Sequence, residues 1–126
     1  MTQQAGNVQL RVTWGRCTGG NWCQLNTVNL GGQAFDNGGV YLIWHLGTPS
    51  RVVYVGQAAE FRERLAAHRN DARIQAYANL GLNVTWAPVR AAQRDGVEAY
   101  LADEWSPLVG ERRPVAARIV VNSPWD

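Results

Sequence analysis

Two tyrosines, an arginine–histidine pair and one awkwardly placed glutamate are the side chains of this 126-residue chain whose types and spacing point to chemistry. Tyr41 and Tyr54 lie in two apolar, β-branched and aromatic runs, 39–46 and 51–57, joined by Gly47-Thr48-Pro49-Ser50. Such a pattern predicts a hairpin. Pairing Leu46 with Arg51 across the turn sets Tyr41 against Gly56 and Ile43 against Tyr54. Both tyrosines then share one face as diagonal neighbours, roughly 7–8 Å apart. Gly56 leaves the place opposite Tyr41 without a side chain, which opens space above that ring. A slip of one residue would put the rings on opposite faces. Paired tyrosines in a sheet are more often core than chemistry, and the glycine shifts that balance only in part.

Arg64 and His68 are four apart, so on a helix they share a face one turn apart. Beginning only eight residues after Gly56, such a pair can hold a phosphate near the end of the second strand. The competing reading is a solvated polar face carrying Arg62, Arg64 and Arg69 together. Glu98 stands with Leu101, Ala102 and Trp105 at the spacing of a core-facing helix stripe. An unpaired carboxylate there is costly. It calls for a salt-bridge partner or a metal ion, and spacing alone favours the salt bridge. Asp103 and Glu104 fall on the solvated side.

These residues need elements to hold them. Val8 to Trp14 alternates and predicts a strand, followed by a Gly-, Asn- and Thr-rich loop, 17–38, around one short strand, Gln24 to Val28. After the hairpin, Glu60 to about Asn79 predicts a helix with Phe61, Leu65 and Ala66 along its apolar stripe. Asn83 to Val89 predicts a third main strand, ended at or just after Pro88. Asp95 is placed to cap a helix from Gly96 to about Trp105, stopped by Pro107. Arg118 to Val121 is a candidate last strand. The fold class is α+β: a small central, mostly antiparallel sheet of three or more strands flanked by helices, in one domain over 1–126.

Composition is that of an ordinary globular domain, 46% hydrophobic and 17% charged. The apolar runs are far shorter than the ~20 residues of a membrane-spanning helix. Met1 to Gly6 lacks the charged start and apolar run of a signal peptide. The expectation is a cytoplasmic protein with no membrane partner. All twelve basic residues are arginine, a side chain suited to gripping phosphate with two prongs, although lysine depletion also follows genome composition. A net charge of +2 is by itself weak support for a polyanionic partner. Cys17 and Cys23 lack the second pair that a zinc site needs, and His45 and His68 do not complete one. In a reducing compartment they are expected to be plain thiols, a local disulfide being the lesser alternative.

In chain order, Gly39-Val40-Tyr41, then Tyr54-Val55-Gly56, Arg64, His68 and Glu98 resemble the pattern of the GIY-YIG nuclease family. The stretch Y-V-G-Q-A-A-E-F-R-E-R-L-A-A-H is similar to that family's strand-to-helix segment, and V-E-A-Y-L-A-D-E-W-S-P-L to its metal-ligand helix. The resemblance covers 39–110 as a family core, with 1–38 as an N-terminal extension. It implies endonucleolytic hydrolysis of phosphodiester bonds in nucleic acid, DNA first, with one Mg²⁺ or Mn²⁺ on Glu98. It further implies Tyr41 as general base or water positioner, Tyr54 and His68 as partners of nucleophile or phosphate, and Arg64 as the phosphate's counter-charge. Arg62 and Arg69 are the expected nucleic-acid contacts. Many members carry an Asn three residues after the proline, where this chain has Gly110; Asn122 is a spatial candidate to replace it. A binding module on a degenerate nuclease fold is the alternative. Targeting would come from loops, a homodimer or a partner protein.

Overall fold

Residues 39–45, Gly-Val-Tyr-Leu-Ile-Trp-His, carry bulky side chains toward both faces, so the segment has to be covered on both. It is the strand that ends up with neighbours on either side and every residue buried. The computed structural model describes residues 7–110 and 114–125. Its sheet has four antiparallel strands in the order β1-β4-β2-β3. These are β1 (Cys23–Gln24), β2 (Gly39–His45), β3 (Arg51–Ala58) and β4 (Leu82–Pro88). Helix α1 (Phe61–His68) packs on one face, which we call the front, through Phe61 and Leu65. Helix α3 (Arg94–Trp105) covers the back with Val97, Tyr100 and Leu101. Tyr41, Ile43 and Val84 belong to the front core, Val40, Leu42 and Trp44 to the back one. The α+β class is as the residue pattern predicts.

The hairpin corrects one detail of the expected register. His45, rather than Leu46, lies opposite Arg51, yet Tyr41 still faces Gly56 and Ile43 still faces Tyr54. A bulge between Ile43 and Trp44 reconciles the two: Trp44 pairs with Val52, which leaves Val53 as the extra residue. The shift is absorbed before it reaches the tyrosines.

Other elements also differ from expectation. The helix predicted from Glu60 to Asn79 breaks after His68, because Asp71 takes an extended conformation and its carboxylate accepts from the Arg73 N–H. That cap starts a separate short helix, α2 (Ala72–Gln75). Val8 to Trp14 joins no sheet; it makes one parallel bridge, Leu10 to Val121, which is also all that remains of the strand at 118–121. Its alternation serves to bury Val12 in the back core. The short strand at Gln24–Val28 contracts to β1, because the chain turns back through Val28 N–H to the Gln24 carbonyl. Asp95 is not the cap of α3 but sits in its first turn.

Cys17 and Cys23 form a disulfide, which overturns the expectation of plain thiols. Among the described residues no helix is long and apolar enough to cross a membrane.

Candidate active site

β2 and β3 present the two tyrosines side by side on the front face, ring centroids 6.1 Å apart and nearly parallel. α1 follows β3 after two residues and brings Arg64 and His68 against these rings. His68, one turn beyond Arg64, is buried with its ring centroid 4.5 Å from that of Tyr54. Its Nε2 is 2.6 Å from the Tyr41 hydroxyl oxygen. Gly56 makes this possible. A Cβ there would lie 2.5 Å from the Tyr41 oxygen, so the space that a side chain would take is filled by the hydroxyl itself.

Arg64 donates hydrogen bonds to the hydroxyls of both Tyr41 and Tyr54. An arginine has no acceptor, so the Tyr41 oxygen accepts from Arg64 and its own proton is directed to His68. The tautomer with Nε2 bare is the one that gives the buried Tyr41 proton an acceptor, and it is assigned on that ground. Burial pulls the His68 pKa down to about 4, and the Arg64 charge pushes the same way, so the imidazole is neutral at neutral pH. Burial raises Tyr41 well above the usual phenol value, with Arg64 opposing it. At rest the pair is a neutral phenol donating to a neutral imidazole.

Glu98 comes from α3, on the back of the sheet, and its carboxylate reaches the edge strand β3 at Gln57. The Gln57 side-chain amide, one residue past Gly56, donates to Glu98 Oε1 at 2.8 Å and to Asp95 Oδ1 at 2.7 Å. Burial raises the Glu98 pKa, the Gln57 bond lowers it, nearby Asp95 raises it and Arg64 lowers it. The carboxylate is thus within electrostatic reach of Arg64 and Tyr41. Tyr41, Tyr54, Arg64 and His68 touch; Glu98 stands one layer away.

The donor set suits a divalent cation. A half-buried carboxylate whose direct partner is a neutral amide shared with a second carboxylate is short of positive charge. Among the described residues no three His, Cys, Asp or Glu side chains gather into a cage. An ion on Glu98 would complete its shell with water and phosphate, as Mg²⁺ usually does.

Arg62 and Arg69, expected to meet nucleic acid, are engaged within the protein. Arg62 donates to the carbonyls of Leu30 and Gly32 and pairs with Asp36 at 2.6 Å. Arg69 donates to the carbonyls of Leu25 and Val28. Together they tie the 25–36 stretch to α1. Asn122 does not replace the missing Asn; its amide clasps the backbone N–H and carbonyl of Val12. Position 110 does border the site, since a Cβ on Gly110 would lie 3.8 Å from the Tyr54 ring. Gln57 is the participant that residue types alone do not single out. The signal available was its place one step past Gly56, with Asp95 and Glu98 three apart on a helix. No protein-family model matches the chain, and no curated protein or solved structure does.

Proposed function

We propose that this protein is a metal-dependent endonuclease of the GIY-YIG type, hydrolysing phosphodiester bonds in nucleic acid, DNA first. The observation that carries the reading is the buried Tyr41 hydroxyl, held between the His68 imidazole and the Arg64 guanidinium. A tyrosine whose proton is aimed at a neutral histidine is built to relay a proton. Water attacking phosphorus gives its proton to the Tyr41 oxygen while Tyr41 passes its own to His68 Nε2. Arg64 opposes the burial of Tyr41 and so favours the tyrosinate character that this transfer requires. Its exposed remainder faces outward to meet charge building on the phosphate. Tyr54, bonded to the same guanidinium, fixes its orientation. Glu98, with Gln57 steadying it, would hold one Mg²⁺ or Mn²⁺. When bound, such an ion polarises the phosphoryl group and steadies the leaving oxygen.

The test is cleavage of supercoiled plasmid and of branched DNA with Mg²⁺, using Glu98→Ala as control. Nicking that requires both the ion and Glu98 is the expected result; no cutting under any metal condition sinks the proposal. One observation favours the alternative, a binding module on the same fold. Gly110 has φ +133°, a backbone state in which an Asn would be strained, so the family's usual side chain is kept away from Tyr54. DNA binding without cutting would select it.

A further inference from the structure

The back of the sheet carries a feature that the proposed chemistry does not use. Trp44, Trp105 and Trp125 line an open cavity of about 360 Å³, closed by Ser50, Arg51 and Val52. The volume lies in the range of small-ligand sites. Trp44 is 5.1 Å from Trp125 and Trp105 is 5.0 Å from it, both edge to face. Trp22 also packs edge to face on Trp44, which is buried, so a flat guest would rest on the half-buried Trp105 and the exposed Trp125. Trp125 is still 38% exposed, so the cluster is not a sealed core. At the rim, Arg51 is exposed and makes no ion pair among the described residues.

Aromatic walls with one free guanidinium match a planar ring that carries a phosphate. Stacking on aromatic faces with arginine on the backbone is how single strands are held without regard to sequence. The place fits as well. Trp105 follows Glu98 by seven residues on α3, about 10 Å along the helix. That is roughly three nucleotide steps of a stacked strand.

We propose that this cavity receives an unpaired nucleobase from the same strand whose backbone lies at Glu98, with Arg51 on its phosphate. The inference rests on the nuclease reading. It makes the substrate a junction, flap or frayed end rather than a continuous duplex.

The test uses the full chain carrying Glu98→Ala, a short oligothymidylate, and a strand of equal length that is abasic throughout. The readout is tryptophan quenching together with the indole N–H signals of Trp105 and Trp125. Both signals should move with oligothymidylate and stay in place with the abasic strand. Trp125→Ala should weaken oligothymidylate binding about tenfold, and Arg51→Gln should reduce the salt slope by about one. Arg51→Gln carries the test alone if Trp125→Ala fails to fold. Equal binding of the two strands overturns the proposal, as does an indole response to a proline-rich peptide with none to oligothymidylate. Cutting of a branched or flapped DNA by the unaltered protein is scored apart. Cutting with unmoved indoles sinks the cavity proposal alone, whereas moved indoles without cutting sink the nuclease reading and leave the base site standing.

Discussion

Tyr41 has one acceptor and one donor interaction, and both are used. Arg64 takes the oxygen's lone pair and His68 takes the proton. Tyr41→Phe removes both while keeping the ring, so cleavage should fall about 10²–10⁴-fold, the usual worth of a positioned acid or base. Circular dichroism should be unchanged; an unaltered rate would remove Tyr41 from the chemistry. His68 does not set the acid limit. With a folded pKa of about 4, it keeps its bare nitrogen far below the ~6.5 of a free imidazole. Burial holds the Glu98 carboxyl above its ordinary range, so the acid limb of the rate should follow Glu98 and lie above the point at which the NMR titration of His68 shows it charging. Stability behaves differently. Between about 4 and ~6.5 the unfolded chain binds a proton at His68 that the folded one does not. The His68 contribution is full above ~6.5 and is lost as pH falls toward 4. Arg64 and Arg62 separate the site from its scaffold. Arg64→Lys keeps charge but loses the planar fork, so cutting should slow by about 10²–10³ with binding retained. Arg62→Ala should instead lower stability by about 1 kcal/mol, seen as a few degrees in Tm, with the DNA salt slope unmoved. A reversal of these two outcomes would mean that Arg62 is the DNA contact. Residue types and spacing made the tyrosine, arginine and histidine set legible, because a hairpin and one helix turn obey fixed periods. The fates of Arg62 and Arg69 were illegible, because their acceptors are backbone carbonyls of a loop with no period at all.

At the scale of elements, the strands of the hairpin and β4 could be read because their apolar runs are bounded by turn residues. The bulge at Val53 could not, since nothing in an apolar run marks which residue is left unpaired. Nor could the break after His68, where one aspartate outweighs a continuing apolar stripe by capping a new helix. The segment 8–14 shows the limit of alternation as evidence. It reports that one side is buried, and an extended chain lying across a core satisfies that without sheet hydrogen bonds. The Cys17–Cys23 bond closes a short ring just ahead of the 25–36 stretch that Arg62 and Arg69 hold against α1. Disulfides persist in oxidising surroundings, so this bond counts against the cytoplasmic setting expected from the sequence. Reduction should cost about 2 kcal/mol by loop-closure entropy, the ring being short. The check is thermal melting with and without reductant, against the Cys17→Ser/Cys23→Ser pair. A melt indifferent to both treatments would mean that the ring adds nothing to the stability of the fold.

Over the whole molecule, the two ends of the described chain run side by side and in the same direction, joined at Leu10 and Val121. The backbone N–H groups of Gln9 and Leu10 donate to Val120, which donates back to the Gln9 side chain. The Asn122 side chain holds both backbone groups of Val12, and the Trp14 indole donates to the Asn122 carbonyl. A force drawing the two ends apart therefore slides these parallel segments past one another and loads all six bonds at once, in shear. The same force applied between Ser50 and the C-terminal end loads them differently, because the N-terminal segment is then free to follow. Single-molecule pulling from the two ends should give one abrupt, high-force rupture, lowered by Asn122→Ala, which deletes two of the six bonds. A gradual, low-force extension that Asn122→Ala does not change would show that the ends carry no load. The clasp that buries Val12 thus also makes the domain mechanically stiff along the one line on which its own chain would pull it.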